Sequence, residues 1–262
     1  MGNSTCVGCC QPLTSDVRSR EHILPQWLAN EVKVPDLALK HYLHDTEENS
    51  DELLRSHGLG SFVIKNVCAP CNNGWMSRLE ERAKPLLLDL MNMKASLLQL
   101  SIEDRTTVSA WAIKTAFMIG SAQKSIGSLP WHLFRGLAEQ PENIPVECFV
   151  LAAQLPFLPK GFLYACPGDV LPQYQDPVSW RVGFSIHQLH FVVVLPLLAA
   201  ERMVRTSGVQ LPIWPLDLEI LVRYQSFPTI TVPADLINFL TELVQAGVMQ
   251  KRPDHVQPDT VS

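Results

Sequence analysis

Two short cysteine knuckles constrain this chain more than any other feature. Cys6 and Cys9 form one C-x2-C pair and Cys68 and Cys71 a second, with the 58 residues from Cys10 to Val67 between them. Thiolates spaced like this converge on one tetrahedral ion, and a site built from two knuckles fastens distant segments into a small fold. Four thiolates select zinc. Unligated core cysteines would have to produce two such pairs by chance. Cys10 adjoins Cys9 and could exchange roles with it. Cys148 and Cys166 stand singly in apolar surroundings, and an odd total of seven with no secretion signal favours thiols or metal ligands over disulfides.

The 262 residues, 47% of them hydrophobic, suit one large or two small packed domains. No stretch reaches the roughly 18 apolar residues that span a bilayer. The longest, Phe191 to Ala200, contains Pro196 and reads as a buried strand with its exit. The start resembles a myristoylation signal only superficially, since Cys6 stands where Ser or Thr is needed. A cytoplasmic protein without membrane contact is expected. The net charge of −5 argues against bulk electrostatic coating of nucleic acid. Within residues 1–85, nine Lys or Arg face eleven Asp or Glu, but five of those acids crowd into His44 to Glu52. Outside that run the segment is mildly basic, with Arg18, Arg20, Lys65, Arg78, Arg82 and Lys84 close to the motifs.

The pattern divides near Pro85, giving expected units 1–85 and 86–262. Before the division come a helix from about Gln26 to Glu31, an acidic loop, a β-branched strand from Phe62 to Val67, and an amphipathic helix from Gly74 to Lys84. That last helix places Trp75, Leu79 and Ala83 at i, i+4, i+8, and Pro85 should end or kink it. After the division, Ser101 and Asp104 make a capping-box-like start for a helix to about Ala122, burying Val108, Trp111, Ala112, Thr115, Met118 and Ile119. Proline-broken apolar segments follow at 146–155, 161–165, 178–186, 190–195 and 218–224, and read as strands of a mainly antiparallel sheet. A final helix is expected over 234–246, with frayed residues after Lys251. The fold class is therefore α+β.

Between the knuckles lies Glu21-His22. Hydrolysis of a phosphodiester needs a neutral imidazole to take a proton from water and a hard cation to stabilise the developing charge. Glu21 can offer the cation a carboxylate oxygen, and His22 can activate the water. Alone, a Glu-His dipeptide is unspecific; its position between the knuckles raises its weight. Asn72-Asn73 follow the last knuckle cysteine, Cys71, where an amide carbonyl can complete a magnesium shell and where a helix cap is also expected. Both roles fit if Asn72 faces the metal and Asn73 caps. Glu80 and Glu81 lie one or two turns further on and read as a solvated helix face. His41, His44 and His57 read as surface residues of the loop.

Cys-Val-Gly-Cys, Glu-His-Ile-Leu-Pro and Cys-Ala-Pro-Cys-Asn-Asn-Gly-Trp-Met together resemble the HNH endonuclease family with its ββα-metal fold, over residues 6 to about 84. The resemblance implies Glu21 as ligand of a catalytic Mg²⁺ or Mn²⁺, His22 as general base, and Asn72 as the residue completing the metal site. The family's middle asparagine has no clear counterpart: Val63 holds the usual spacing and Asn66 lies closer to the knuckle. The stretch from Asn73 to Glu80 is similar to a bacterial subgroup with a long C-terminal extension. What the resemblance implies is a zinc-stapled nuclease acting on nucleic acid, DNA being favoured, in defence or on a mobile element. The competing expectation is a non-catalytic zinc module that binds nucleic acid or a partner. Residues 86–262 carry no phosphate loop, no Ser-His-Asp set and no basic stripe, and could dock a second copy or another protein. Trp111, Trp131, Trp180 and Trp214 read as core anchors.

Overall fold

The computed structural model describes residues 5–31, 38–45, 50–58, 62–122, 129–145, 147–155, 162–165, 179–196, 202–204, 211–214 and 248–250. Its architecture is α+β, helices with antiparallel sheets. Strand β1 (Glu21–His22) pairs antiparallel with β4 (Val63–Ile64), placing Glu21 opposite Ile64 and His22 opposite Val63. Helix α1 (Gln26–Glu31) lies where expected. The acidic run is not a plain loop: β2 (Ala38–Asp45) and β3 (Ser50–Gly58) form an antiparallel pair, with His44 opposite Asp51 and His41 opposite Arg55. Thus His41, His44 and His57 belong to strands.

After the second knuckle, α2 (Ala69–Cys71) begins at Cys68 with Pro70 in its first turn, where proline's fixed φ and missing N–H are tolerated. A wider turn over Asn72–Met76 follows, with Gly74 outside helical geometry, and then α3 (Ser77–Met91). Two expectations are corrected here. Asn73 caps nothing, because the helical stretch starts four residues before it. Of the two outcomes expected at Pro85, an end or a kink, the end is overturned, because α3 continues six residues beyond it. A mid-helix proline costs about 3 kcal/mol. Burial of Leu87, Leu90 and Met91 beyond it contributes about 1.5–3 kcal/mol each, so packing outweighs local propensity. The division expected at Pro85 therefore falls inside a helix.

Helix α4 (Ile102–Ala122) starts as the capping signature requires: Ser101 Oγ accepts from Asp104 N at 3.1 Å and donates to Asp104 Oδ2 at 2.6 Å. Every residue from Thr107 to Gly120 is buried. A helix buried all round is a core element, not a surface one, and α4 touches α3, β4 and α5 (Trp131–Glu139) as well as the main sheet. That sheet has five antiparallel strands in the order β10-β5-β8-β7-β6. They are β5 (Phe149–Gln154), β6 (Phe162–Ala165), β7 (Ser179–Ile186), β8 (Leu189–Pro196) and β10 (Leu211–Trp214). Strands β9 (Arg202–Val204) and β11 (Val248–Gln250) pair separately. Residues 218–224, 234–246 and Cys166, to which strand, helix and lone-thiol expectations attach, lie outside the described residues.

One hydrophobic cluster runs from Cys6 to Ile213. Trp75 of the wide turn meets Phe134 edge-on at 5.4 Å, Phe134 meets Phe117 at 5.1 Å, and Trp111 meets Phe184 and Phe191 at 6.0 Å. Gln154 ties the end of α3 to the sheet, donating to Leu90 O and Ala95 O and accepting from Leu97 N. Among the described residues no helix is long and apolar enough to cross a membrane.

Across the β7–β8 pair, Ser185 Oγ lies 2.7 Å from His190 Nδ1, and both side chains are buried. Burial pushes the His190 imidazole down to about 3. A group whose folded pKa is depressed stabilises the fold above its unfolded value, and that stabilisation is lost as pH falls. Below about pH 6.5 the unfolded chain takes up a proton that the folded chain refuses, so stability should fall by about 1.4 kcal/mol per pH unit from this group down to about pH 3. Urea unfolding of His190→Asn should show a shallower loss over pH 6.5 to 4 than the unsubstituted chain; equal slopes would refute the assignment.

Candidate metal centre and adjoining cleft

The segment from Val17 to Ile23 runs antiparallel to the segment from Phe62 to Ala69. Ile23 N donates to Phe62 O, Ser19 N to Val67 O and Ala69 N to Val17 O, at 3.0, 3.0 and 2.7 Å, and Arg18 bridges to Cys68. This ladder brings the Glu-His pair and the second knuckle to opposite ends of one two-stranded segment. The first knuckle is attached by Val7 N donating to Asn66 O at 3.0 Å. It turns tightly, with Cys10 N donating to Cys6 O at 2.9 Å.

Together these bonds bring Sγ of Cys6, Cys9, Cys68 and Cys71 within 4.8 Å of one another. Four sulfurs about 2.3 Å from a tetrahedral zinc stand roughly 3.8 Å apart, so the cluster needs little closing to hold such an ion. Cys9 and Cys68 are already 3.6 Å apart. Cys10, exposed and at φ 59°, lies outside the set. A methyl group on Gly8 would meet Cys71 Sγ at 3.3 Å, tight enough that the thiol would have to shift by a few tenths of an ångström, so glycine suits the close approach of the knuckle. Burial raises the Cys6 thiol, but the amides of Cys68, Cys9 and Gly8 outweigh it and bring the group down to about 7. Burial raises Cys71, and the neighbouring thiols add to it. Such a crowd of sulfurs cannot ionise together without a cation among them, which is what a metal site requires. These four cysteines could hold a metal ion such as zinc.

Beside the knuckles, Glu21, His22, Pro25, Gln26, Trp27, Asn72 and Glu80 line a cleft of about 280 Å³. All three residues singled out from the sequence, Glu21, His22 and Asn72, meet there. Asn72 Nδ2 donates to Ser19 Oγ at 3.2 Å, which orients its amide. Asn73 is exposed and does not line the cleft. His22 is half-buried, and the amide nitrogen of Gln26 lies 3.4 Å from its Nε2. Neither candidate for the middle asparagine sits beside His22 as an amide: Val63 is its strand partner, and Asn66 Nδ2 donates to Ser121 Oγ at 2.6 Å. The side-chain amide against the imidazole comes from Gln26.

Glu21 and Glu80 both bind Lys114, whose Nζ lies 2.6 Å from one carboxylate and 2.7 Å from the other. Lys114 comes from the middle of α4 and is fully buried. Glu80 is thus part of the site, which corrects its reading as a solvated helix position; Glu81 is exposed. Burial alone would lower the Lys114 ammonium, and the two carboxylates reverse this and hold it charged. Burial pushes Glu21 up, with the Lys114 charge opposing. Sequence inspection missed Lys114 because a helical lysine is ordinarily exposed. The available signal was its isolation: it is the single charged residue between Arg105 and Lys124. Gln26 carried no distinguishing signal.

Removing a partner from a buried ion set leaves uncompensated charge, at about 3–5 kcal/mol. Lys114→Met keeps much of the volume and leaves Glu21 facing Glu80. With the cation gone, the Glu21 carboxyl is raised further above its unfolded value, so stability is retained at acid pH and lost as pH rises. Thermal unfolding of Lys114→Met should show a larger deficit at pH 8 than at pH 5. A deficit independent of pH would mean that packing, not charge, holds Lys114.

Comparison with known proteins finds no matching family model, no matching curated protein and no matching solved structure.

Proposed function

We propose that this chain is a metal-dependent endonuclease of the HNH type, hydrolysing nucleic-acid phosphodiesters, with DNA the favoured substrate and zinc in the four-cysteine site. One observation carries this: Glu21, His22 and Asn72 line one cleft beside the thiol cluster although 49 residues separate His22 from Asn72. Support comes also from chemistry, since a binding-only module has no use for a carboxylate, an imidazole and an amide converging at an open cleft.

In this mechanism His22 takes a proton from a water whose oxygen attacks phosphorus, and the bond from phosphorus to the leaving sugar oxygen breaks. Glu21 and Asn72 would hold a hard divalent ion, which supplies stabilisation of the charge developing on the phosphate and the leaving oxygen. Gln26 orients the imidazole. Lys114 presets the Glu21 carboxylate, so that little reorganisation is needed when the substrate arrives.

Purified protein with Mg²⁺ or Mn²⁺ should nick supercoiled plasmid; a preparation that is folded and zinc-replete yet never cuts DNA or RNA would overturn the proposal. The second reading, a module that binds without cutting, is favoured by one contact: Glu21 Oε1 is engaged by Lys114. The two readings separate on metal removal. Thiolates keep zinc tightly while carboxylate and amide oxygens exchange magnesium readily. Brief EDTA treatment should stop cutting without releasing zinc, and added Mg²⁺ or Mn²⁺ should restore it. Asn72→Ala should raise the metal concentration required, and Asn73→Ala should not. Glu21→Gln should act likewise but also unpairs Lys114, which makes Asn72→Ala the cleaner variant. Cutting that survives full removal of exchangeable cations would exclude this site.

A further inference from the structure

Ser15, Arg18, Ser19, Arg20 and Lys65 line an open groove of about 430 Å³ next to the cleft. Its side chains are three cations and two hydroxyls, with no carboxylate among them. Along the segment leading to the Glu-His pair, Arg18 and Arg20 are exposed, Ser19 is half-buried and Glu21 is buried. Arg18, Ser19 and Arg20 all line the groove and stand immediately before Glu21 and His22 in the chain. This segment is held firmly. Arg18 is bridged through its backbone to Cys68, and its guanidinium donates to Leu13 O at 3.3 Å. Ser19, which lines the groove, accepts the hydrogen bond from Asn72, which lines the cleft, so one contact joins the two walls.

The two openings differ in charge. The cleft carries Glu21 and Glu80 against Lys114, and the groove carries only cations. On a chain of net charge −5, an all-cationic concavity is where a polyanion is drawn despite the repulsive field of the whole. We propose that this groove binds the sugar–phosphate backbone next to the scissile bond, with Arg20 and Lys65 each contacting a phosphate, and so feeds the strand to His22. Basic and hydroxyl side chains are the groups that position a strand by its phosphates without reading its bases, so the groove orients and does not select sequence. The proposal rests on the nuclease reading for its direction, but not for binding itself.

The test uses the full-length chain without added divalent cations and a fluorescein-labelled DNA duplex, with binding followed by anisotropy across a potassium chloride series. Arg20→Gln and Lys65→Gln should each reduce the salt slope by about 1 and weaken binding roughly tenfold at 0.1 M salt, and the double variant should lose about twice the slope. Both side chains are exposed, so thermal unfolding of the variants should be unchanged. An RNA strand of the same sequence tests whether the backbone alone is recognised: similar losses on both are expected. Unchanged affinity and slope in the variants, or no binding by the unsubstituted chain at low salt, would overturn the proposal, as would weaker binding at constant slope. Failure of the nuclease assignment alone would look different: intact, slope-dependent binding with no nicking.

Discussion

Replacing His22 with alanine is expected to lower phosphodiester cleavage by about 10²- to 10⁴-fold, the usual cost of losing a positioned base. Its fold should be unaffected, because the imidazole is half-buried and its neighbour Gln26 is exposed and can turn to water. His22→Ala should keep its zinc, unfold at the same temperature and bind labelled duplex as tightly as the unsubstituted chain. The separation of chemistry from binding and folding is the informative part. If His22→Ala nicked plasmid at the unsubstituted rate, the base would have to be sought elsewhere, and the other titratable cleft residues, Glu21 and Glu80, are both paired with Lys114.

Cys68→Ser is expected to do the reverse and remove metal and stability together. Cys68 stands at the centre of the thiol cluster: its Sγ lies 3.6 Å from Cys9 Sγ, and its backbone N donates to Cys6 Sγ at 3.4 Å. Free energies of zinc binding in isolated zinc peptides are about 10–16 kcal/mol and appear there as folding energy. Here the knuckles adjoin a core reaching from Cys6 to Ile213, so part of the fold should survive and the loss should be smaller, on the order of several kcal/mol. Elemental analysis should find about one zinc per chain in the unsubstituted protein and little in Cys68→Ser. The same variant should show a lower urea midpoint. A Cys68→Ser protein that stays zinc-replete and equally stable would refute a structural role for the cluster.

The two experiments report on neighbouring but separable devices. The knuckles fasten one end of the ladder, and the ladder sets the distance between the strand carrying His22 and the helical turn carrying Asn72. Loss of the cluster should therefore lower cutting as well, through misplacement. His22→Ala should lower cutting alone.

Short-range chemistry was legible from the sequence alone. The C-x2-C spacing, the Ser101–Asp104 signature, the α1 span and the β5 to β8 segments each depend on residues within a few positions of one another, where backbone periodicity and ligand reach decide the outcome. Glu21, His22 and Asn72 stood out as candidates because each adjoins a pattern of this kind, and the three line one cleft. Elements governed by packing were not. Pro85 signals a helix end, but α3 runs through it because Leu87, Leu90 and Met91 have a core to enter. Asn73 looks like a cap, but the helix had already begun at Ala69. The tertiary structure alone decided that Lys114, 93 residues beyond Glu21, would turn from an ordinary helical cation into the buried partner of Glu21 and Glu80. It alone gathered Arg18, Arg20 and Lys65 into one groove. The physical reason is that a charge on a helix has no role until a neighbouring element takes away its water, and which element does so is settled by how α4 packs against α3 and β4.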